Sequence, residues 1–440
     1  MSLKGLSSTD ITVVVHFSGN IDTPTGHNKQ NSGNCDCYCD LFSIVASSGV
    51  AMSCRKVIFW IHLLAGLVAG GVVAIMSVTG IAIAFEEEIL EWADREVSHR
   101  VGPVPVNAVM KIEDLRGKVA PENGRVAAVQ MFSDPSRNWK FHTDTGRELF
   151  VDPYSAAVGE SRAHATHEVI HKLEEWHRWL GARDGQTSVG RLVTGICNLM
   201  FVVLCVTGLY LWFPRRWSWR ALRPLIGFVT RYRGKARDFN LHNVIGFWSM
   251  PVLLLLAVTA VPISFAWGHR LMFALTGEEA PESRNYGMMA VEPPAVSIPA
   301  GEMPRLPAEV AVSRVAEAFP DWESISLEFP EAEEAIAPLD FGVTVPDPMP
   351  SRAYIPVKSD PFTGEILQAV RFDDRSTGLR ARVWVRFLHT GAAFGVPGKV
   401  VASLACAASL VLVWTGFSLT WRRFSGRRRA TKPPTQVTPS

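Results

Sequence analysis

The chain has 440 residues, 48% of them hydrophobic and 20% charged, with 44 Lys and Arg against 42 Asp and Glu. At roughly 150 residues per domain this length allows two or three units, and the near-balance of charge excludes a nucleic-acid binder, which carries a strong basic excess. The apolar residues gather in four long blocks, which excludes a wholly soluble globular protein.

Residues 1–51 come first. They are polar, rich in Ser, Asn and Gly, and carry Cys35, Cys37 and Cys39 in a CDCYC run. That spacing matches no common zinc site, and no signal-peptide pattern precedes it. The segment reads as a disordered extension, or as a start assigned upstream of a true start at Met52.

The rest of the chain alternates spans and connections. Spans are expected over 57–85, 192–213, 241–267 and 400–421, none containing Asp, Glu, Lys or Arg. About 20 apolar residues at 1.5 Å each cross a hydrocarbon layer of roughly 30 Å. Between them lie a first domain over 86–170, a short loop over 214–240, a second domain over 268–385 and a tail over 422–440. The loop holds Arg215, Arg216, Arg220, Arg223, Arg231, Arg233, Lys235 and Arg237 against Asp238 alone, and the tail is basic without an acid. The long connections lean the other way, with 18 acids to 14 bases over 86–191 and 19 to 11 over 268–398. The positive-inside rule then puts both termini and the loop in the cytoplasm and the two long connections outside a bacterial inner membrane. Neither long connection contains cysteine, so no disulfide holds either domain together.

The plan repeats. Spans one and three align at His62 and His242, each followed four residues later by Gly66 or Gly246 and seventeen residues later by Thr79 or Thr259. Spans two and four align at Gly190 and Gly398, each seventeen residues before Thr207-Gly208 or Thr415-Gly416. Outside, 151–158 echoes 359–366, each reading as strand, Asp-Pro turn, strand. Helices are expected before them, over about 107–119 and 307–319, and the Pro-rich stretch 293–307 reads as a linker.

The motifs WIHLLAG at 60–66, WHRWLG at 176–181, LHNVIG at 241–246 and FLHTG at 387–391, with the VDP and SDP turns, resemble the PepSY-associated transmembrane helix family over about 52–425. That family includes PiuB-like iron-regulated membrane proteins and inner-membrane ferric-siderophore reductases. The expected fold is thus an α-helical membrane protein, four transmembrane helices in an internally duplicated bundle with two extracytoplasmic α+β PepSY-like modules.

Among 12 histidines, His62, His177, His242 and His389 occupy equivalent places in the repeated plan. Ionisable residues in or beside a span are functional candidates. Each is followed at i+4 by a small residue (Gly66, Gly181, Gly246 and Ala393), which on one helix face leaves room for a flat macrocycle. His62 with His242 and His177 with His389 then read as axial pairs for two haems b, one near each membrane surface. No CxxCH is present for covalent attachment. His171 competes with His177 as a ligand, and His164, His167 and His171 form a stripe that reads as a solvated face or a metal site. Glu86, Glu87 and Glu88 mark the outer boundary or attract iron, while Arg178 and the span-flanking arginines are candidates to neutralise propionates. The resemblance implies a bis-haem reductase that takes electrons from a cytoplasmic or quinone donor and reduces ferric siderophore, with membrane lipid as its other partner. The alternatives are a non-enzymatic, membrane-anchored binding or regulatory protein and a siderophore transport component. No nucleotide or flavin fingerprint is present.

Overall fold

The computed structural model describes residues 53–105, 109–182, 189–214, 217–281, 296, 304–330, 337–351 and 354–430. The CDCYC run and most of the Pro-rich stretch lie outside them. Helix α1 (Cys54–Ala84) leads into α2 (Glu86–Ala93), α3 (Arg95–Ser98) and α4 (Ile112–Asn123), then strands β1 (Val126–Phe132), β2 (Trp139–Thr143), β3 (Glu148–Val151) and β4 (Val158–Glu160). Helices α5 (His164–Trp179), α6 (Val189–Trp212), α7 (Trp219–Ile226), α8 (Gly234–Ser264) and α9 (Ala266–Leu275) follow. The chain continues through α10 (Ala308–Ala318), β5 (Ser324–Glu328), β6 (Leu339–Thr344), β7 (Ile355–Ser359), β8 (Ile366–Ala369), α11 (Thr377–Thr390), a 3₁₀ turn (Ala392–Phe394) and α12 (Gly395–Ala430).

Helices α1, α6, α8 and α12 are long and apolar enough to cross a membrane, each holding an 18-residue stretch with a mean hydropathy of 2.1 to 2.2. In hydrocarbon no water bonds to free N–H and C=O groups, so such segments satisfy them internally as helices. Helix α1 turns Leu64, Val68 and Val78 outwards and Ala65, Ala69 and Val73 inwards. Both α1 and α8 pack on α6 and on α12, so the bundle closes in the order α1–α6–α8–α12 with α1 and α8 across its diagonal. Small residues permit this: a Cβ added at Gly70 would sit 3.0 Å from the Phe417 ring. Helices α8 and α12 begin before their apolar blocks and carry two buried charges, Asp238 and Lys399. Asp238 accepts from the Ser418 hydroxyl at 2.8 Å and pairs with Arg422 at 3.3 Å, tying α8 to α12.

Beyond one end of the bundle the strands form a single antiparallel sheet in the order β4-β3-β2-β1-β5-β6-β7-β8. Each of the two expected α+β modules supplies four strands, and the two join where β1 and β5 pair directly, with Val129 opposite Leu327 and Met131 opposite Ile325. Alternation along each strand puts one face under α4 and α10, where Leu115, Val119, Ala311 and Val315 cover Phe141, Leu149, Phe341 and Val357. Helix α4 starts at Ile112, later than expected, after an extended Lys111 (ψ 142°).

The Asp-Pro turns are built alike. Asp152 accepts from the Tyr154 N–H at 2.9 Å and Asp360 from the Phe362 N–H at 2.7 Å, each closing an Asx turn between paired strands. Gly364 (φ 71°) takes the left-handed position in the second turn, and Ala156 (φ 59°) takes it in the first. A side chain there costs roughly 1–2 kcal/mol. Ala156→Gly is therefore expected to raise the thermal unfolding midpoint of the detergent-solubilised protein, and Gly364→Ala to lower it.

Candidate functional site

Four histidines come together in two pairs. His62 on α1 faces His242 on α8 with ring centroids 6.4 Å apart, and His177 on α5 faces His389 on α11, also at 6.4 Å. The pairs lie at different depths. Thr79, which touches His177, stands seventeen residues beyond His62 on the same helix, about 25 Å at 1.5 Å per residue.

The same local device holds each ring. Nδ1 of His62 lies 2.9 Å from Thr207 Oγ1, Nδ1 of His242 lies 2.9 Å from Thr415 Oγ1, and Nδ1 of His177 lies 3.1 Å from Thr79 Oγ1. The fourth, His389 to Thr259, is longer at 3.4 Å. Every one of these threonine hydroxyls donates its own proton to the carbonyl four residues back, at 2.6 to 2.8 Å. Its oxygen can therefore only accept from the imidazole. In the second pair, Nδ1 also faces a main-chain carbonyl, Met76 O at 2.9 Å for His177 and Leu256 O at 3.0 Å for His389. Carbonyls accept and never donate, so the proton sits on Nδ1 and the lone pair on Nε2. Burial, and then the second imidazole, push the His177 pKa down to about 4, which keeps that ring neutral.

A neutral imidazole with Nδ1–H anchored is the usual state of a metal-ligating histidine. Two nitrogen–metal bonds of about 2 Å, plus about 1.1 Å from each nitrogen to its ring centre, sum to about 6.2 Å. The observed 6.4 Å matches at both pairs. Around His62 and His242 lies a cavity of about 580 Å³, lined also by Gly66, Gly246, Gly208 and Gly416 and by the cations Arg55, Lys235 and Arg423.

The glycine following the threonine makes room for the ring. A Cβ at Gly208 would lie 3.2 Å from His62 Cε1, and one at Gly80 would lie 3.1 Å from His177 Cε1. The sequence displayed these Thr-Gly steps as repeat markers, yet nothing in it assigned them to the histidines. Of the expected i+4 positions, Gly66 and Gly246 continue the helices of their histidines and line the cavity. Gly181 and Ala393 do not continue theirs. Helix α5 ends at Trp179 with Leu180 in the left-handed region, and α11 ends at Thr390 before Gly391 (φ 75°). Gly181 therefore lies beyond the helix against Trp176, off the face of His177. What seats the two short helices is a second pair of glycines: Gly190 packs on the Trp179 carbonyl and Gly398 on the Gly391 carbonyl, where a Cβ would collide.

The other candidates go elsewhere. The His171 side chain is 56% exposed and lies 3.7 Å from Glu175, with His164 similarly beside Glu168. Among the described residues no cluster of three or more His, Cys, Asp or Glu is arranged to hold a metal ion. Arg178 pairs with Glu174 at 2.7 Å, and Glu88 is bound through both oxygens by the buried Lys399 at 2.8 Å. Thr207→Val removes the hydroxyl acceptor of His62 Nδ1 and is expected to cost about 1–3 kcal/mol, the price of a buried unsatisfied donor. Thermal unfolding in detergent would register the loss, whereas the exposed Thr230→Val leaves the midpoint unchanged.

The histidine and threonine positions that build both pairs fall inside the stretch, residues 59–423, that matches the family model described as the PepSY-associated TM region. No curated protein matched the chain. With that match covering most of its length, the chain belongs to the PepSY-associated transmembrane family.

Proposed function

We propose that this chain is a bis-haem b protein that carries electrons across the bacterial inner membrane and reduces ferric siderophore outside it. The observation that carries the reading is the matched pair of imidazole couples, each with Nδ1 anchored and with ring centroids 6.4 Å apart, the spacing of two imidazoles that share one metal ion. Haem iron between two imidazoles supplies one-electron exchange without needing a further ligand. The chain contributes the rest. His62 and His242 would hold one group, and His177 and His389 the other. The threonines fix the tautomer, the glycines open space for a flat ring, and Arg55, Lys235 and Arg423 offer positive charge to its carboxylates. Apolar helix walls exclude charge from the path, so a relay is needed: the two levels are about 25 Å apart in a hydrocarbon layer of roughly 30 Å.

Orientation follows from the basic residues of the loop and tail, which favour the cytoplasm for the His62/His242 end and both termini. The sheet and the His177/His389 pair would then face outwards. The symmetric strand order and the recurring His–Thr contact support an internal duplication in which each half supplies two spans and four strands. Electrons would enter from a cytoplasmic or quinone donor. Reducing Fe(III) to Fe(II) weakens its hold on hard oxygen ligands and releases the metal.

The purified protein is expected to carry about two haems b per chain, reducible by dithionite. His62→Ala and His389→Ala should each remove one, and His171→Ala none. Protein that stays colourless after expression with ample haem would instead mark the chain as a membrane-anchored binding or regulatory protein or a siderophore transport component.

A further inference from the structure

A second cavity, of about 410 Å³, opens beside α2 and α3 and includes Glu88, Trp92, Arg95, His99 and Arg137. Its walls are fixed by hydrogen bonds: Asn138 N–H donates to Ser98 O at 2.9 Å, Arg100 N–H to Ser136 O at 3.0 Å, and the Asn138 side-chain amide to Val97 O at 2.8 Å. Segment 97–100 is therefore clamped to the turn between β1 and β2, and the cavity exists before any ligand arrives.

The chemistry of this cavity is that of an anion receptor with an aromatic platform. Trp92 is 73% exposed, an indole with most of its surface uncovered. Arg137 sits over the Phe132 ring with its Cζ 3.7 Å from the ring centre, and its Nε is buried without an acceptor. Arg95 adds a second, exposed guanidinium. Of the two acids in the cavity, Glu88 is neutralised by Lys399 and Glu91 remains, so positive charge prevails. Lys399 also ties the cavity to the outer histidines. It directly follows Gly398, which packs on the Gly391 carbonyl at the end of the helix bearing His389.

We propose that this cavity is the docking site for the electron acceptor, and that the acceptor is an anionic ferric chelate of the catecholate class. One catechol ring would lie on Trp92 with its phenolate oxygens towards Arg95 and Arg137, combining ring stacking with charge-assisted hydrogen bonds. The assignment of this ligand as an electron acceptor rests on the reductase reading above; the binding itself does not.

The test separates the two. The gallium(III) tris-catecholate complex is redox-inert and trianionic, and its binding to the full-length detergent-solubilised protein can be followed by equilibrium dialysis with gallium counted. Wild type should bind it, and bind the neutral gallium tris-hydroxamate complex at least tenfold more weakly. Arg95→Gln with Arg137→Gln, and separately Trp92→Ala, should each weaken catecholate binding at least tenfold while leaving haem content unchanged. Arg95→Glu alone, at an exposed position that leaves folding undisturbed, should also weaken it. Wild-type affinity in these variants, equal binding of the two gallium complexes, or no binding by wild type would overturn the proposal whatever the haem content. Catecholate binding that needs Trp92 and the arginines in a protein without haem would leave the docking site standing and remove the reductase reading.

Discussion

The interaction on which this structure turns is the hydrogen bond from an imidazole Nδ1–H to a threonine hydroxyl on another helix. Each threonine has already given its own proton to its helix, so the direction of the bond is settled and the histidine has a single tautomer. The bond satisfies one nitrogen of a half-buried ring and fixes the orientation of that ring. Its repetition at both levels makes it the feature that the rest of the fold serves.

Much of the scaffold serves it visibly. Glycines stand where a ring or a carbonyl must come close, at Gly80, Gly208, Gly190 and Gly398. Charged residues pin helices together at the ends of the bundle, Asp238 to Arg422 at one and Lys399 to Glu88 at the other. The sheet adds a further constraint. Because β1 pairs with β5, the two extramembrane halves form one surface, and the helices α5 and α11 that leave its outer strands are held in relation to one another.

The spans were plain in the sequence, since twenty-odd apolar residues in a row admit few other readings. The Asp-Pro turns were plain as well, because Asp and Pro act through local bonds that need no tertiary partner. The histidines stood out through their equivalent positions, but the helical spacing that accompanied them continues only at His62 and His242. Periodicity argues from a continuing helix, and α5 and α11 stop within a turn of His177 and His389, so Gly181 and Ala393 left the expected face. The threonine partners and the β1–β5 seam were hidden for the opposite reason. Both are contacts between segments far apart in the chain, His62 with Thr207 and Val129 with Leu327, and no local pattern encodes who meets whom.

The diagonal placement of α1 and α8 has a consequence for biogenesis. The membrane-proximal ring couple nearest the basic loop draws one imidazole from the first span and one from the third, and its two hydroxyl acceptors from the second and the fourth. No nascent fragment with fewer than four inserted helices contains the finished constellation. The ring couple with its two hydroxyl acceptors is therefore complete only once all four helices have packed together, the last of them included.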